Sequence, residues 1–315
     1  MTTTRVLITV PQLQQTIDEH RSALAERDIE LLLPPVVQQL SEVELMEVLP
    51  GVDGVIVGDD PLSRTVLERA DRLRIVSKWG VGTDNIDFAA AADLGIRVTN
   101  TPGMFGSEVA DVVVGYLILM ARQLHRINEQ VRVGRWAKIE GVSLAGRTLG
   151  VVGLGAIGRA VAERAIAMGM RVIGSEIIEG NAATARRIGV RIAERTELLR
   201  QADVVSLNCP LTDENRHMID AAAMLSMKRG AWIINTARGP LIDETALAEA
   251  LSSGQIGAAA LDVFEIEPLP SESPLRQFDN VILGAHNSSN TVEAVRRTSV
   301  RAIENLLLGL AEVRR

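Results

Sequence analysis

Short β-branched apolar runs alternate with segments of helical period along almost the whole chain. In the first third the apolar runs predict strands over Arg5–Val10, Ile29–Leu33, Gly54–Gly58, Arg74–Lys78 and Arg97–Thr99. Helical stretches fall between them, near Leu13–Ala25, Val43–Val48, Leu62–Ala70 and Phe88–Asp93. A second series follows, with strands over Thr148–Gly153, Arg171–Ser175, Asp203–Leu207, Ala231–Asn235, Ala258–Val263 and Asn280–Leu283. Its helices are expected over Ile157–Met168, Ala182–Ile188, Arg195–Arg200, Ala221–Met227 and Glu244–Ser252. Such alternation predicts parallel sheets with helices on both faces, and the strands are apolar on both sides, as doubly covered strands are. Two longer segments differ. Ser107–Arg132 reads as one long helix connecting the two series, and Val292–Leu310 as an amphipathic final helix with Asn290 and Glu293 in a capping arrangement at its start.

A length of 315 residues suits two domains, and 47% hydrophobic against 23% charged residues supplies a core for each. Aromatics are 3%, so the core is aliphatic. The net charge of −7 argues against nucleic acid as a partner, which needs a basic footprint. The single cysteine, Cys209, excludes an intramolecular disulfide and a Cys-based zinc cluster, and no metal site is expected. The longest apolar run, Val112–Ala121, is too short for a bilayer core of ~30 Å. The stretch after Met1 lacks the apolar segment of a secretory leader, so a soluble cytoplasmic protein without a membrane partner is expected. Imidazole chemistry has four candidates: His20, His125, His217 and His286.

The run TLGVVGLGAIGRAV at Thr148–Val161 places Gly153, Gly155 and Gly158 as G-x-G-x-x-G between a strand and a helix. The first glycine allows a tight turn, the second lets backbone approach a pyrophosphate, and the third lets helix pack on strand. Ala156 and Ile157 open the helix, whose N–H groups and dipole attract phosphate. Glu176 ends the next strand, where a carboxylate accepts from ribose hydroxyls and repels a 2′-phosphate. The expected cofactor is NAD, with NADP disfavoured.

Four further segments carry chemistry: KWGVGTDNID (Lys78–Asp87), NTARGP (Asn235–Pro240), DVFEIEP (Asp262–Pro268) and GAHNSSNT (Gly284–Thr291). Arg238, Glu267 and His286 each follow a predicted strand of one sheet, where open α/β sheets bind ligands. Singly, each would pass as a surface or loop residue. Cys209 has no activating neighbour and reads as an inert thiol.

Together these segments, with VTNTP (Val98–Pro102), LAGRTLGVVGLGAIG (Leu144–Gly158), NTARGPLIDETAL (Asn235–Leu247) and AALDVFEIEPLP (Ala259–Pro270), resemble the D-isomer-specific 2-hydroxyacid dehydrogenase family. The resemblance implies that Arg238 binds the substrate carboxylate and 2-oxo oxygen, that His286 is the general acid/base, and that Glu267 holds its other ring nitrogen. It puts the Val81 and Gly82 N–H groups on the substrate carboxylate; Lys78, Trp79 and Gly80 beside them are further substrate-binding candidates, with Trp79 equally readable as ordinary packing. Pro210, Thr236 and Ala237 correspond to the nicotinamide pocket, and Asp262 to the residue near the nicotinamide amide. The apolar face of Val109–Leu124 reads as core or as a dimer interface, and the resemblance implies a homodimer through this helix.

Three departures stand out. Asn287, Ser288 and Ser289 follow His286 in place of an apolar residue and glycine, which predicts a more polar pocket wall. Asp111 stands where glutamate is usual. The loop Val57–Asp60 carries two acids and no arginine for a phosphate, with Lys78 as partial compensation.

The expected fold is α/β: two doubly wound parallel-sheet domains of Rossmann or flavodoxin-like type, with the active site in a cleft between them. Residues 104–287 form the NAD-binding domain, and residues 1–103 plus 288–315 the substrate domain. The expected function is NAD-dependent interconversion of a D-2-hydroxy acid and a 2-oxo acid. Narrower forms are D-3-phosphoglycerate dehydrogenase and hydroxypyruvate or glyoxylate reductase. The alternative class is an NAD-binding interaction protein without turnover.

Overall fold

The computed structural model describes residues 3–25 and 28–312. The chain divides into two compact units, Met1–Met104 with Asn290–Arg315, and Phe105–Ser289.

The first unit is built on five parallel strands: β1 (Thr4–Ile8), β2 (Ile29–Leu32), β3 (Gly54–Val57), β4 (Ile75–Lys78) and β5 (Arg97–Thr99). Their order is β2-β1-β3-β4-β5, so the winding reverses between β1 and β3. One face buries Leu7, Val55, Val57 and Val76 with Leu45, Val66, Leu67 and Ala90 from the helices. The final helix, Val292–Glu312, packs on β3 and β4. Its approach is close enough that a Cβ on Gly54 would lie 2.8 Å from Leu306 Cδ1. Ser77 Oγ donates to its Ala302 carbonyl at 2.8 Å.

The second unit has seven parallel strands: β6 (Thr148–Val152), β7 (Arg171–Ser175), β8 (Arg191–Ile192), β9 (Val204–Leu207), β10 (Ala231–Asn235), β11 (Ile256–Leu261) and β12 (Val281–Leu283). The order β12-β11-β10-β9-β6-β7-β8 places the reversal between β6 and β9. Register pairs Val152 with Ser175 and Leu207, Asn235 with Leu207 and Leu261, and Leu261 with Leu283. The C-terminal ends are therefore level, and the loops that follow them share one edge of the sheet. Aliphatic clusters cover the two faces.

The segment expected as one long helix is two. Gly106–Arg122 buries Val109, Val113, Tyr116, Leu117 and Met120, whereas Leu124–Arg132 buries nothing. Gln123 between them is left-handed at φ 51°, so the helix turns where its packing ends. The expected helix Leu13–Ala25 is also broken, into Pro11–Gln15, a 3-10 turn at Ile17–Glu19, and Arg21–Ala25. Thr16 Oγ1 donates back to the Gln12 carbonyl at 3.1 Å, a side-chain bond that competes with the helical ladder. At the final helix Thr291 Oγ1 accepts from the Ala294 N–H at 3.1 Å and caps the first turn. No helix among the described residues is long and apolar enough to cross a membrane.

Candidate active site

The chain leaves β6 through Gly153, at φ 86°, where a Cβ would sit 2.8 Å from the Asn208 backbone. A Cβ on Gly158 would lie 1.9 Å from the Gly153 carbonyl oxygen, so the helix Ala156–Ala167 rests directly on the turn. Gly155 is different: nothing lies within 4 Å of its Cβ position. It precedes the helix, whose first turn, starting at Ala156 and Ile157, has no side-chain cap. An open cradle before an uncapped helix N-terminus fits a pyrophosphate.

Glu176 closes this turn. Its Oε2 accepts from the Leu154 N–H and its Oε1 from the Ile178 N–H, both at 2.8 Å. Ile177 beside it is 99% exposed, an apolar surface next to the carboxylate that sequence reasoning passed over. Further along the edge, Asn208 Oδ1 and Thr236 Oγ1 are buried without a hydrogen-bond partner among the described residues. Buried polar atoms are normally satisfied, so these two fit a site completed by a ligand. Pro210 is exposed and Ala237 half-buried on the same edge. Burial pushes the Cys209 thiol up to about 11, which makes it inert.

Asn235 is fully buried and shapes the next loop. Its Nδ2 donates to the Arg238 carbonyl at 2.8 Å, and its Oδ1 accepts from the Ala237 N–H at 3.0 Å. Arg238 Nη1 donates to the Ala237 carbonyl at 2.9 Å. A Cβ on Gly239 would lie 1.9 Å from the Phe264 carbonyl carbon, so this loop is pressed against the one after β11. There Glu267 Oε1 accepts from the Phe264 N–H at 2.9 Å, and Glu267 Oε2 lies 2.7 Å from His286 Nδ1. Both side chains are mostly buried, at 16% and 23% exposure. His286 is left-handed at φ 49°, held by its N–H to the Asp262 carbonyl at 2.7 Å.

Asp262 is buried, and its carboxylate organises the His286 loop. It accepts from the Asn287 N–H at 3.1 Å, the Ser288 N–H at 2.8 Å and the Ser288 hydroxyl. The Tyr116 hydroxyl hydrogen-bonds to it as well; burial, then the Asp262 charge, pushes that phenol well above its ordinary range. Ser288 is thus buried against Asp262 rather than part of a polar pocket wall, which corrects the expectation from sequence. Sequence reasoning also missed Tyr116; the one signal was its being the only tyrosine in the chain.

In the first unit, Lys78 ends β4 with its side chain 2% exposed. Its Nζ donates to the Gly58 carbonyl and lies 3.2 Å from Asp59 Oδ1. Trp79 is buried, and its indole N–H donates to Ser299 Oγ at 3.1 Å, which ties the turn to the final helix. Gly80, at φ 143°, donates its N–H to Thr101 Oγ1 at 2.9 Å. Among the described residues, none accepts from the Val81 or Gly82 N–H. Asp60 is buried and accepts from Thr9 Oγ1, the Leu40 N–H and the Gly58 N–H; burial raises its pKa.

The NAD-binding domain profile of the D-isomer specific 2-hydroxyacid dehydrogenases matches residues 114–288. The chain belongs to this family and is an NAD-dependent oxidoreductase of the 2-hydroxyacid class. It is 37% identical over 274 residues to a hydroxypyruvate reductase of Thermotoga maritima, covering 85% of this chain and 88% of that protein. It is 39% identical over 271 residues to a D-3-phosphoglycerate dehydrogenase of Methanocaldococcus jannaschii, covering 85% of this chain and 51% of the relative's length. The structure of D-lactate dehydrogenase from Aquifex aeolicus, complexed with NAD and lactic acid, superposes with a TM-score of 0.85 at 28% identity, over 98% of this chain and 96% of that one.

Proposed function

We propose that this chain reversibly reduces a small 2-oxo acid to its D-2-hydroxy acid, using NAD in preference to NADP. The observation that carries the reading is the 2.7 Å His286–Glu267 pair on the sheet edge that also bears Arg238 and the glycine turn. NADH, when bound, supplies hydride to the substrate's C2. Gly153, Gly155, Ala156, Ile157 and Gly158 would hold its pyrophosphate. Glu176 would take the ribose hydroxyls, and its charge disfavours a 2′-phosphate. Pro210, Thr236, Ala237 and Asp262 would line the nicotinamide end.

Arg238 carries a permanent planar charge suited to a carboxylate and to polarising the 2-oxo oxygen. Glu267 orients the His286 ring through Nδ1, so that Nε2 is the nitrogen that gives a proton to the oxygen in reduction and takes it in oxidation. The Val81 and Gly82 N–H groups are assigned to the substrate carboxylate. The exposed apolar residues Leu124, Val131, Val133 and Trp136 support a homodimer through this part of the chain. A cytoplasmic location fits such an enzyme.

The test is NADH oxidation with glyoxylate, hydroxypyruvate, pyruvate, phosphohydroxypyruvate and branched 2-oxo acids. Turnover with at least one is expected, giving the D product from every substrate except glyoxylate, whose product glycolate is achiral. No turnover with any of them would overturn the reading and favour an NAD-binding protein without catalysis; an L product would overturn the assigned stereochemistry.

A further inference from the structure

We propose that Glu244 is a positioning residue for the His286–Glu267 pair, its carboxylate holding the loop after β11 so that Glu267 meets His286. The inference rests on the functional reading above and adds a residue to the same site.

Glu244 stands on a fixed support. It opens the helix Glu244–Ser252, whose Ala246, Leu247, Ala250 and Leu251 are buried. Asp243 caps that helix by accepting from the Ala246 N–H at 2.9 Å. From this base Glu244 Oε1 accepts from the Glu265 N–H at 2.7 Å. In return Glu265 Oε1 accepts from the Glu244 N–H at 3.1 Å, so two bonds of opposite direction join helix and loop. The preceding amide, Phe264 N–H, donates to Glu267 Oε1 at 2.9 Å. Consecutive amides of one loop are thus shared between the carboxylate that orients the imidazole and the carboxylate of Glu244. The peptide linking Phe264 and Glu265 is also packed tightly against the loop after β10. A Cβ on Gly239 would lie 2.0 Å from the Phe264 carbonyl oxygen and 2.4 Å from Glu265 N.

The arrangement stands against electrostatics. Burial, then the charges of Glu265 and Glu267, push the Glu244 carboxyl above the ordinary carboxylate range, opposed by its bond from the Glu265 N–H. His217 Nε2 lies 3.1 Å from Glu265 Oε1, so the nearby imidazole faces that carboxylate. Accepting from a backbone N–H needs an oxygen at the right reach, and needs no charge. Reach is therefore the property that Glu244 contributes.

Three substitutions separate reach from charge. Glu244→Gln keeps the acceptor and loses the charge. Glu244→Asp keeps the charge, suits a first helical turn and is one methylene short. Glu244→Ala loses both. With a 2-oxo acid that is turned over, Glu244→Asp and Glu244→Ala should each lower kcat about ten- to a hundredfold, with NADH affinity unchanged, while Glu244→Gln stays within about threefold of the unaltered protein.

The pH profile reads what a merely structural role would not move. Glu267 faces the imidazole at Nδ1, and the Asp262 carboxylate is bonded to the two residues after it; neither is altered. Glu244→Ala and Glu244→Gln remove the same charge, so their difference isolates the hydrogen bond. A loosened Glu267 favours the protonated ring less. The alkaline fall of reductive kcat/KM should therefore lie at lower pH in Glu244→Ala than in Glu244→Gln. The His286 pKa, read by NMR in the cofactor-free protein with its signals identified by their loss in His286→Ala, should be lower in the same variant. Alanine and glutamine variants that coincide in kcat and in both pH readouts overturn this inference alone. So does a ranking by charge, with Glu244→Asp active and Glu244→Gln impaired; that comparison decides the matter should Glu244→Ala not fold. Absence of turnover with every 2-oxo acid overturns the functional reading, and the NMR comparison then still decides whether Glu244 positions the pair.

Discussion

Glu267 Oε2 lies 2.7 Å from His286 Nδ1, while Glu267 Oε1 is held by the Phe264 N–H at 2.9 Å. The carboxylate is therefore anchored on one side and orients an imidazole on the other. A negative partner favours the charged ring, the form that donates a proton during reduction. Glu267→Gln keeps the shape and removes the charge. The protonated ring then survives only to lower pH, so the fall of reductive kcat/KM on the alkaline side should move to lower pH. The pH profiles of the two proteins check this; coincident profiles would detach Glu267 from His286.

The glycines of the turn predict opposite outcomes for the same substitution. Gly158→Ala forces a methyl to within 1.9 Å of the Gly153 carbonyl oxygen and should destabilise the second unit by about 1–3 kcal/mol or more. Gly155→Ala meets nothing within 4 Å at a φ of −62°, so the fold should be unaffected. Its methyl would enter the cradle assigned to pyrophosphate and weaken NADH binding. Thermal unfolding and NADH titration separate the two effects.

Cys209 should resist alkylation. With its thiol pushed up to about 11, the thiolate fraction at neutral pH is far below that of an unfolded chain. Iodoacetamide should react with the native protein at least about a hundredfold more slowly than with the denatured one, because only the thiolate attacks. Mass spectrometry of timed reactions measures the ratio.

Ser288→Ala removes a hydroxyl bonded to the buried Asp262 carboxylate, which Tyr116 and the Asn287 and Ser288 N–H groups also serve. A loss of about 1–3 kcal/mol in unfolding free energy is expected. Because Asp262 also holds the His286 N–H through its carbonyl, kcat should fall more than NADH affinity. Denaturant unfolding and steady-state kinetics check both.

Alternation of apolar runs and helical segments was enough to read two α/β series, and all eleven expected strands formed within a few residues of their expected bounds. The G-x-G-x-x-G run was legible because each glycine answers a different steric demand of the turn. Arg238, Glu267 and His286 were legible as residues just past strand ends, since strand register alone makes those ends level. The two-residue strand Arg191–Ile192 was too short to leave a periodic signal. The break at Gln123 was illegible because it reflects where tertiary packing stops, not a local breaker. Trp79 beside a glycine turn gave no sign of which way its indole points; it donates to Ser299, more than two hundred residues away in sequence. The fate of Lys78 likewise depended on the partner across the sheet, Asp59, that burial imposes.

In the proposed reaction His286 moves the proton at the 2-oxo oxygen. The most direct test is kcat/KM for 2-oxo acid reduction by the unaltered protein and by His286→Ala, with NADH affinity measured in parallel. A loss of about 10²–10⁴-fold in turnover is expected, with NADH bound as before. A variant whose kcat/KM stays within a few-fold of the unaltered protein would contradict it.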